Sequence, residues 1–250
     1  MTLLKDAVFG TPVLRVNNRQ LNIDFYQKSL GFKLVYEENA IAVFTSCEAK
    51  KERFVIEESP ATRTRAVEGP KKVNTIIVKT SSPWAIEQLL AHGAQADTVF
   101  IGKKGYAYQV TSPEGDCFLL HAEDDVAQLE VTDLPELEAE ADFLGLPDFT
   151  FEKISLNVSD QDKARNFYQD LFDKEFPLEL DFIQAQGPDL AIAPHMTWDL
   201  EILEVLVPKD YDLAELKVRL EEKGQEIYLD KKETILVLSD LSNIEIWFMK

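Results

Sequence analysis

Val16-Asn17-Asn18, Phe25-Tyr26-Gln27 and Leu30-Gly31-Phe32 punctuate one short stretch whose reading decides the fold. Pro12 to Val16 is an extended run. Asn17 or Asn18 can then cap a helix from about Arg19 to Leu30, because a short side-chain oxygen satisfies a free backbone donor. Gly31 tolerates the left-handed conformation that ends a helix. Three strand-like runs follow, Phe32 to Tyr36, Ile41 to Thr45 and Arg53 to Ile56. The order is βαβββ. The same punctuation returns as Val158 followed by Phe167-Tyr168-Gln169. A second related pair is Leu89-Leu90-Ala91-His92-Gly93 and Leu220-Glu221-Glu222-Lys223-Gly224. Self-similarity of this kind marks a chain assembled from repeated units, here four of them.

Unit two reads as a strand at Thr75–Val78, a helix opened by Ser82-Pro83 and closed at Gly93, and strands near Thr98–Ile101, Tyr106–Thr111 and Cys117–His121. Proline suits the first helical turn, where its missing donor costs nothing. Unit three has Ile154 to Val158, a capping-box pattern at Ser159-Asp160-Gln161-Asp162, and a helix carrying Ala164, Phe167, Tyr168 and Leu171. Its later strands are vague, Glu201 to Val207 being the clearest. Unit four opens a helix with Asp212 and Glu215 and ends in Ile235–Leu238 and Ile244–Phe248. The expected fold class is α+β with tandem βαβββ modules. The expected organisation is a first domain over 1–122, an acidic linker over 123–149 and a second, more divergent domain over 150–250.

The formal charge is −19, which argues against nonspecific binding to nucleic acid or to anionic membranes. From Glu123 to Glu152 the chain has no Lys or Arg, as a solvated acidic connector or a docking surface for a basic partner would. Lys50, Lys51, Arg53, Arg63, Arg65, Lys71 and Lys72 gather instead in what reads as a loop-rich rim. No apolar run approaches the roughly 18 residues of a spanning helix. Met1-Thr2-Leu3-Leu4-Lys5-Asp6 lacks the basic start and apolar stretch of a signal peptide, so the cytoplasm is the default compartment. Cys47 and Cys117 show no metal spacing and read as reduced, mostly buried thiols.

Val16, Leu21, Phe25-Tyr26, Leu30-Gly31-Phe32 and the turn Ser112-Pro113-Glu114-Gly115-Asp116 resemble the vicinal oxygen chelate superfamily of glyoxalases, bleomycin-resistance proteins and extradiol dioxygenases. The second half keeps Phe167-Tyr168 and Asn243. The paired arrangement with this acidic connector is most similar to the CppA family of C3-degrading proteinases. That resemblance implies complement C3 as partner, and hence a non-classical release from the cell. It also implies pairing of units within or between chains, so a homodimer is one of the assemblies allowed.

The residues can be asked to support each implied chemistry. Metal-binding members of the superfamily place His, Glu or Gln on inward strand positions, leaving open coordination sites. Here those positions hold Thr11, Val73 and Lys153 on first strands and Leu119 on a late one. Only Glu245 offers a carboxylate, so no metal and no other cofactor is expected. No G-x-S-x-G, H-E-x-x-H or paired D-T/S-G motif is present to carry proteolysis. Cys117 and His121 lie about 13 Å apart along a strand, too far for a base to activate a thiol. His195, in Pro194-His195-Met196, has no second ligand at useful spacing. His92 suits the negative end of its helix.

A metal-free cup remains a concave pocket. Alternation turns Thr11, Val13 and Arg15 inward, and puts Cys117, Leu119 and His121 on one face. Arg15, Gln109, His121 and Cys117 are therefore the candidate ligand-binding residues, suited to a small carboxylated or aromatic molecule. A buried Arg15 needs a partner, either an internal carboxylate or a bound anion. The alternative to action on C3 is thus a small-molecule binder or enzyme using this cavity.

Overall fold

A computed structural model describes residues 4–50, 53–134, 136–174 and 176–250. Lys51 of the basic group, Pro135 of the connector and the first three residues lie outside the described ones. Unit one comprises β1 (Val8–Val16), α1 (Arg19–Leu30), β2 (Lys33–Glu38), β3 (Ile41–Thr45) and β4 (Phe54–Glu58). Unit two comprises β5 (Val73–Lys79), α2 (Pro83–Ala91), β6 (Thr98–Ile101), β7 (Tyr106–Thr111) and β8 (Cys117–His121). The connector contributes β9 (Glu130–Thr132). Unit three has only β10 (Thr150–Val158), α3 (Gln161–Leu171) and β11 (Glu179–Gln184). Unit four has β12 (Leu200–Leu206), α4 (Leu213–Glu222), β13 (Tyr228–Leu229), β14 (Ile235–Ser239) and β15 (Glu245–Met249).

Local chemistry starts and stops these helices. Asn18 caps α1 by accepting from the Leu21 N–H at 2.9 Å, and Gly31 ends it at φ 63°. Gly31 is also tightly enclosed, since a Cβ there would lie 3.0 Å from the Leu146 amide nitrogen. In unit three the capping oxygen comes from Asp160, which accepts from the Lys163 N–H, and not from Ser159 as the capping-box reading suggests.

The units pair crosswise. An eight-stranded sheet runs β13-β14-β15-β12-β1-β4-β3-β2, and a seven-stranded sheet runs β11-β10-β5-β8-β7-β6-β9. Antiparallel β1–β12 pairing therefore joins unit one to unit four, and β5–β10 pairing joins unit two to unit three. The run over 201–207, expected in unit three, is the first strand of unit four. The helix-facing sides of both sheets share one core. Tyr26 lies 4.7 Å from Phe54 and 5.6 Å from Phe118, centroid to centroid, and Phe54 also meets Phe151 at 6.1 Å. On the other face of the eight-stranded sheet, Val13, Val55 and Ile202 form a separate small cluster with Val43 and Trp247.

The connector is not a free solvated tether. Gln88 of α2 donates to the Glu138 carbonyl at 3.2 Å and accepts from the Glu140 N–H at 2.8 Å. Phe143 stacks on His92 and meets the edge of Trp84. Leu146 and Phe149 are fully buried, and β9 extends the sheet beyond β6. Several of the basic residues are likewise committed. Arg65 grips Asp189 through both oxygens at 2.6 and 2.7 Å, Arg53 pairs with Glu204, and Lys72 is buried.

Candidate functional site

Each central strand pair carries two β-bulges, and these decide which polar groups meet. In β1–β12, Thr11 faces Glu204 while Phe9 faces Val205, so Gly10 is the extra residue; Val13 faces Ile202 while Leu14 faces Leu200, so Glu201 is the other. In β5–β10 the extra residues are Glu152 and Asn74. A bulge re-aims its side chain and interrupts simple alternation. The bulge turns Glu201 onto Arg15, whose Nε donates to Glu201 Oε2. Glu57, directly across from Arg15 on β4, adds an ion pair at 3.4 Å. In the related place of the other sheet Asn157 stands for Arg15 and Asn74 for Glu201, and the two side chains hydrogen-bond at 3.3 Å.

Arg15 and Glu201 are both 5 % exposed. Burial alone would make the guanidinium easier to deprotonate, but its bonds to Glu201 and Glu57 outweigh that and raise its pKa. The partner that Arg15 requires is thus an internal carboxylate. His195 completes the group from the loop before β12. Its Nδ1 is 2.6 Å from Arg15 Nη2 and also in contact with Glu201 Oε1. A neutral Nδ1 accepts from the arginine, and a protonated one donates to the carboxylate. The imidazole is 68 % exposed, so one ring nitrogen is held by a buried charge pair while the ring faces solvent. The loop is held firmly. His195 has φ 68°, a conformation uncommon outside glycine. Thr64 Oγ1 donates to its carbonyl at 3.3 Å, and Arg65 exchanges backbone bonds with Met196 and Trp198.

Behind His195, Lys72, Asp199, Glu201 and Asn243 surround a cavity of about 10 Å³, roughly the space of one water. Lys72 Nζ donates to the Ile192 carbonyl at 3.1 Å, and the Lys72 N–H donates to Asp199 at 2.7 Å. Burial lowers the Lys72 pKa and raises that of Asp199. The charged forms of Lys72 and Asp199 are thus poorly solvated.

The other expected residues fall elsewhere. Gln109, Cys117 and His121 belong to the seven-stranded sheet and Arg15 to the eight-stranded one, so the four do not line one cavity. Gln109 faces Leu119 across β7–β8, half-buried. Cys117 takes a 3.9 Å contact from Thr75 Oγ1, and burial keeps its thiol pKa high. Cys47 is similar: it donates to the Leu144 carbonyl at 3.0 Å and burial raises its pKa. Both are free thiols, and neither is disposed to form the nucleophilic thiolate. Sequence reasoning missed Glu201 and His195 as partners of Arg15, because a bulge and a loop contact across 180 residues of chain leave no local pattern.

The fold's usual metal would have to be held by these floors, and they do not fit one. Thr11 donates to the Pro12 carbonyl, Lys153 pairs with Glu179, and Glu245 accepts from Trp247 Nε1 at 2.7 Å. Among the described residues no three His, Cys, Asp or Glu side chains are placed to share a cation.

His121 is fully buried. Glu152 Oε2 lies 3.0 Å from Nε2, yet neither ring nitrogen makes a well-aligned hydrogen bond. Burial lowers its pKa, against the opposing pull of Glu152. The unfolded chain then binds the proton more readily, so this group contributes stability above about pH 6.5 that is lost as the pH falls below it. Urea melts between pH 7.5 and 5 should show a decline that His121→Leu makes shallower; identical slopes for the two proteins would refute this.

The comparisons with known proteins agree with this architecture. The CppA N-terminal family model matches residues 9–132 and the CppA C-terminal model residues 146–248. The crystal structure of cppA protein from Streptococcus pneumoniae TIGR4 is 35% identical over 98% of this chain and 99% of that one, with a TM-score of 0.85. Glyoxalase I from Zea mays matches at 13% identity over 98% and 92% of the two chains, with a TM-score of 0.59. A putative dioxygenase from Bacillus subtilis subsp. subtilis str. 168 matches at 13% identity over 97% and 84%, with a TM-score of 0.57. These last two show the shared vicinal oxygen chelate fold alone. No curated protein matches the chain. With both halves matched in order and a full-length relative at this identity, the chain belongs to the CppA family.

Proposed function

We propose that the protein acts on complement C3, the partner implied by the resemblance to C3-degrading proteinases, and that it does so without a metal at the lip around His195. The observation that carries the location is the buried Arg15–Glu201 pair, which fixes Nδ1 of a solvent-facing imidazole. A histidine backed in this way presents its exposed edge to a bound partner while its Nδ1 is already engaged. The high thiol pKa values of Cys47 and Cys117 speak against a cysteine nucleophile. Arg15, being satisfied internally, does not favour the alternative of an anionic small molecule held beside it.

The test is a C3 cleavage and binding assay on protein purified through two orthogonal columns, with fragment ends sequenced. Cleavage that follows the protein peak and falls at least tenfold in His195→Ala supports a proteinase acting at this lip. Binding without cleavage, weakened by the same substitution, supports recognition alone. Neither cleavage nor binding would overturn the assignment of C3.

A further inference from the structure

Among the described residues, unit three lacks the outer strands that unit one possesses. Strand β11 runs parallel to β10 as β4 runs parallel to β1, but the seven-stranded sheet ends at β11 while β3 and β2 carry the other sheet onward. Helix α1 rests on β2, β3 and β4; α3 rests on β11. The missing hairpin leaves a cavity of about 220 Å³ between α3 and the edge strand. Its floor is Leu178, Leu180 and Phe182, which share one face of the strand by alternation. Tyr168 and Phe176 close the sides, the Tyr168 ring lying 5.4 Å from Phe176 and 5.4 Å from Phe182.

Asp and Glu outnumber Lys and Arg by 45 to 26 along the chain, yet among the described residues the charged ones lining this cavity are Arg165 and Lys174. Arg165 has a 3.2 Å contact to exposed Asp162, and Lys174 makes no ion pair with any described residue. Alternation sends Glu179 and Asp181 to the opposite face of β11. Asp173 and Lys174 hold successive left-handed conformations, φ 52° and 66°, and Lys223 pins Asp173 at 3.0 Å. Backbone strain of this kind persists only where the surroundings impose it. Here it places the Lys174 ammonium at the rim of an aromatic pocket.

We infer that this cavity binds a small monocyclic aromatic carboxylate, its ring against Tyr168, Phe176 and Phe182 and its carboxylate between Arg165 and Lys174. The size suits one ring with a short acidic arm, since a cavity of about 150 Å³ already admits benzene. The site lies apart from the His195 lip, and its success or failure is independent of any action on C3.

The probes are 3-phenylpropionate and its uncharged amide, titrated into the full chain and followed by amide NMR shifts. The acid should give saturable shifts at Phe176, Leu178 and Leu180 and bind at least tenfold more tightly than the amide. Lys174→Asn with Arg165→Gln keeps a residue that tolerates the left-handed backbone and removes both charges. That variant should lose the tenfold preference for the acid. Leu180→Trp fills the cavity and should abolish binding of both probes. Equal affinity for acid and amide in the unaltered protein, or shifts that are unsaturable and scattered, would overturn the inference.

Discussion

Arg15→Met is expected to destabilise the protein by about 3–5 kcal/mol, the cost of leaving a buried partner charge uncompensated. Glu201 is 5 % exposed and its Oε1 already lacks a well-aligned hydrogen bond. Removing the guanidinium would leave that buried carboxylate with the exposed His195 imidazole as its remaining partner among the described residues. Glu57 differs, because it is 33 % exposed and can rehydrate. The double variant Arg15→Met, Glu201→Leu should recover much of the loss, since well-packed apolar residues often replace a buried ion pair without penalty. Urea denaturation with an unchanged m-value measures both. A single-variant cost below about 1 kcal/mol, the range of a solvated surface pair, would show that water reaches the network and that nothing buried fixes His195.

The sequence made the elements legible because caps and alternation are local. Asn18, Gly31, Pro83 and Asp212 act on backbone groups within one turn, so α1, α2 and α4 begin and end close to where their residues indicate. Leu14 and Val16 pack in the main core and Val13 in the separate cluster, as strand alternation requires. What was not legible depends on a partner strand. β1, β5, β10 and β12 are all apolar enough to sit centrally, and nothing within any one of them states which it will meet. The bulges at Glu201 and Glu152 were hidden for the same reason, because an extra residue exists only relative to the strand opposite. That is why Arg15 could be read as a buried cation needing a partner while the partner stayed open. It is also why alternation alone groups Gln109, Cys117 and His121 with Arg15 although they lie on another sheet. The vague strands of unit three have a simpler cause: among the described residues it has no outer hairpin.

Crosswise pairing leads to a second large effect, on the two halves expressed apart. Residues 1–122 and 123–250, divided where composition suggests the linker begins, are each expected to lack a cooperative folded state, and to regain one when mixed. Separation strips β1 of β12 and β5 of β10, so each fragment exposes the backbone edges of two formerly central strands. It also divides the aromatic core, since Phe54 packs on Phe151 and Phe32 stacks on Phe149 at 4.3 Å. Folded domains are stable by only about 5–15 kcal/mol, and burying a single large apolar side chain contributes about 1.5–3 kcal/mol. Losing several such contacts together exceeds that margin. The competing outcome is physically definite: within residues 1–122, β1 could pair with β5 and close a cup of its own. Circular dichroism and amide NMR of each half, alone and mixed, separate the two. A half that melts cooperatively alone would show that the units can exchange partners, and that the pairing seen in the intact chain is a preference set by the covalent connection and not a condition of folding.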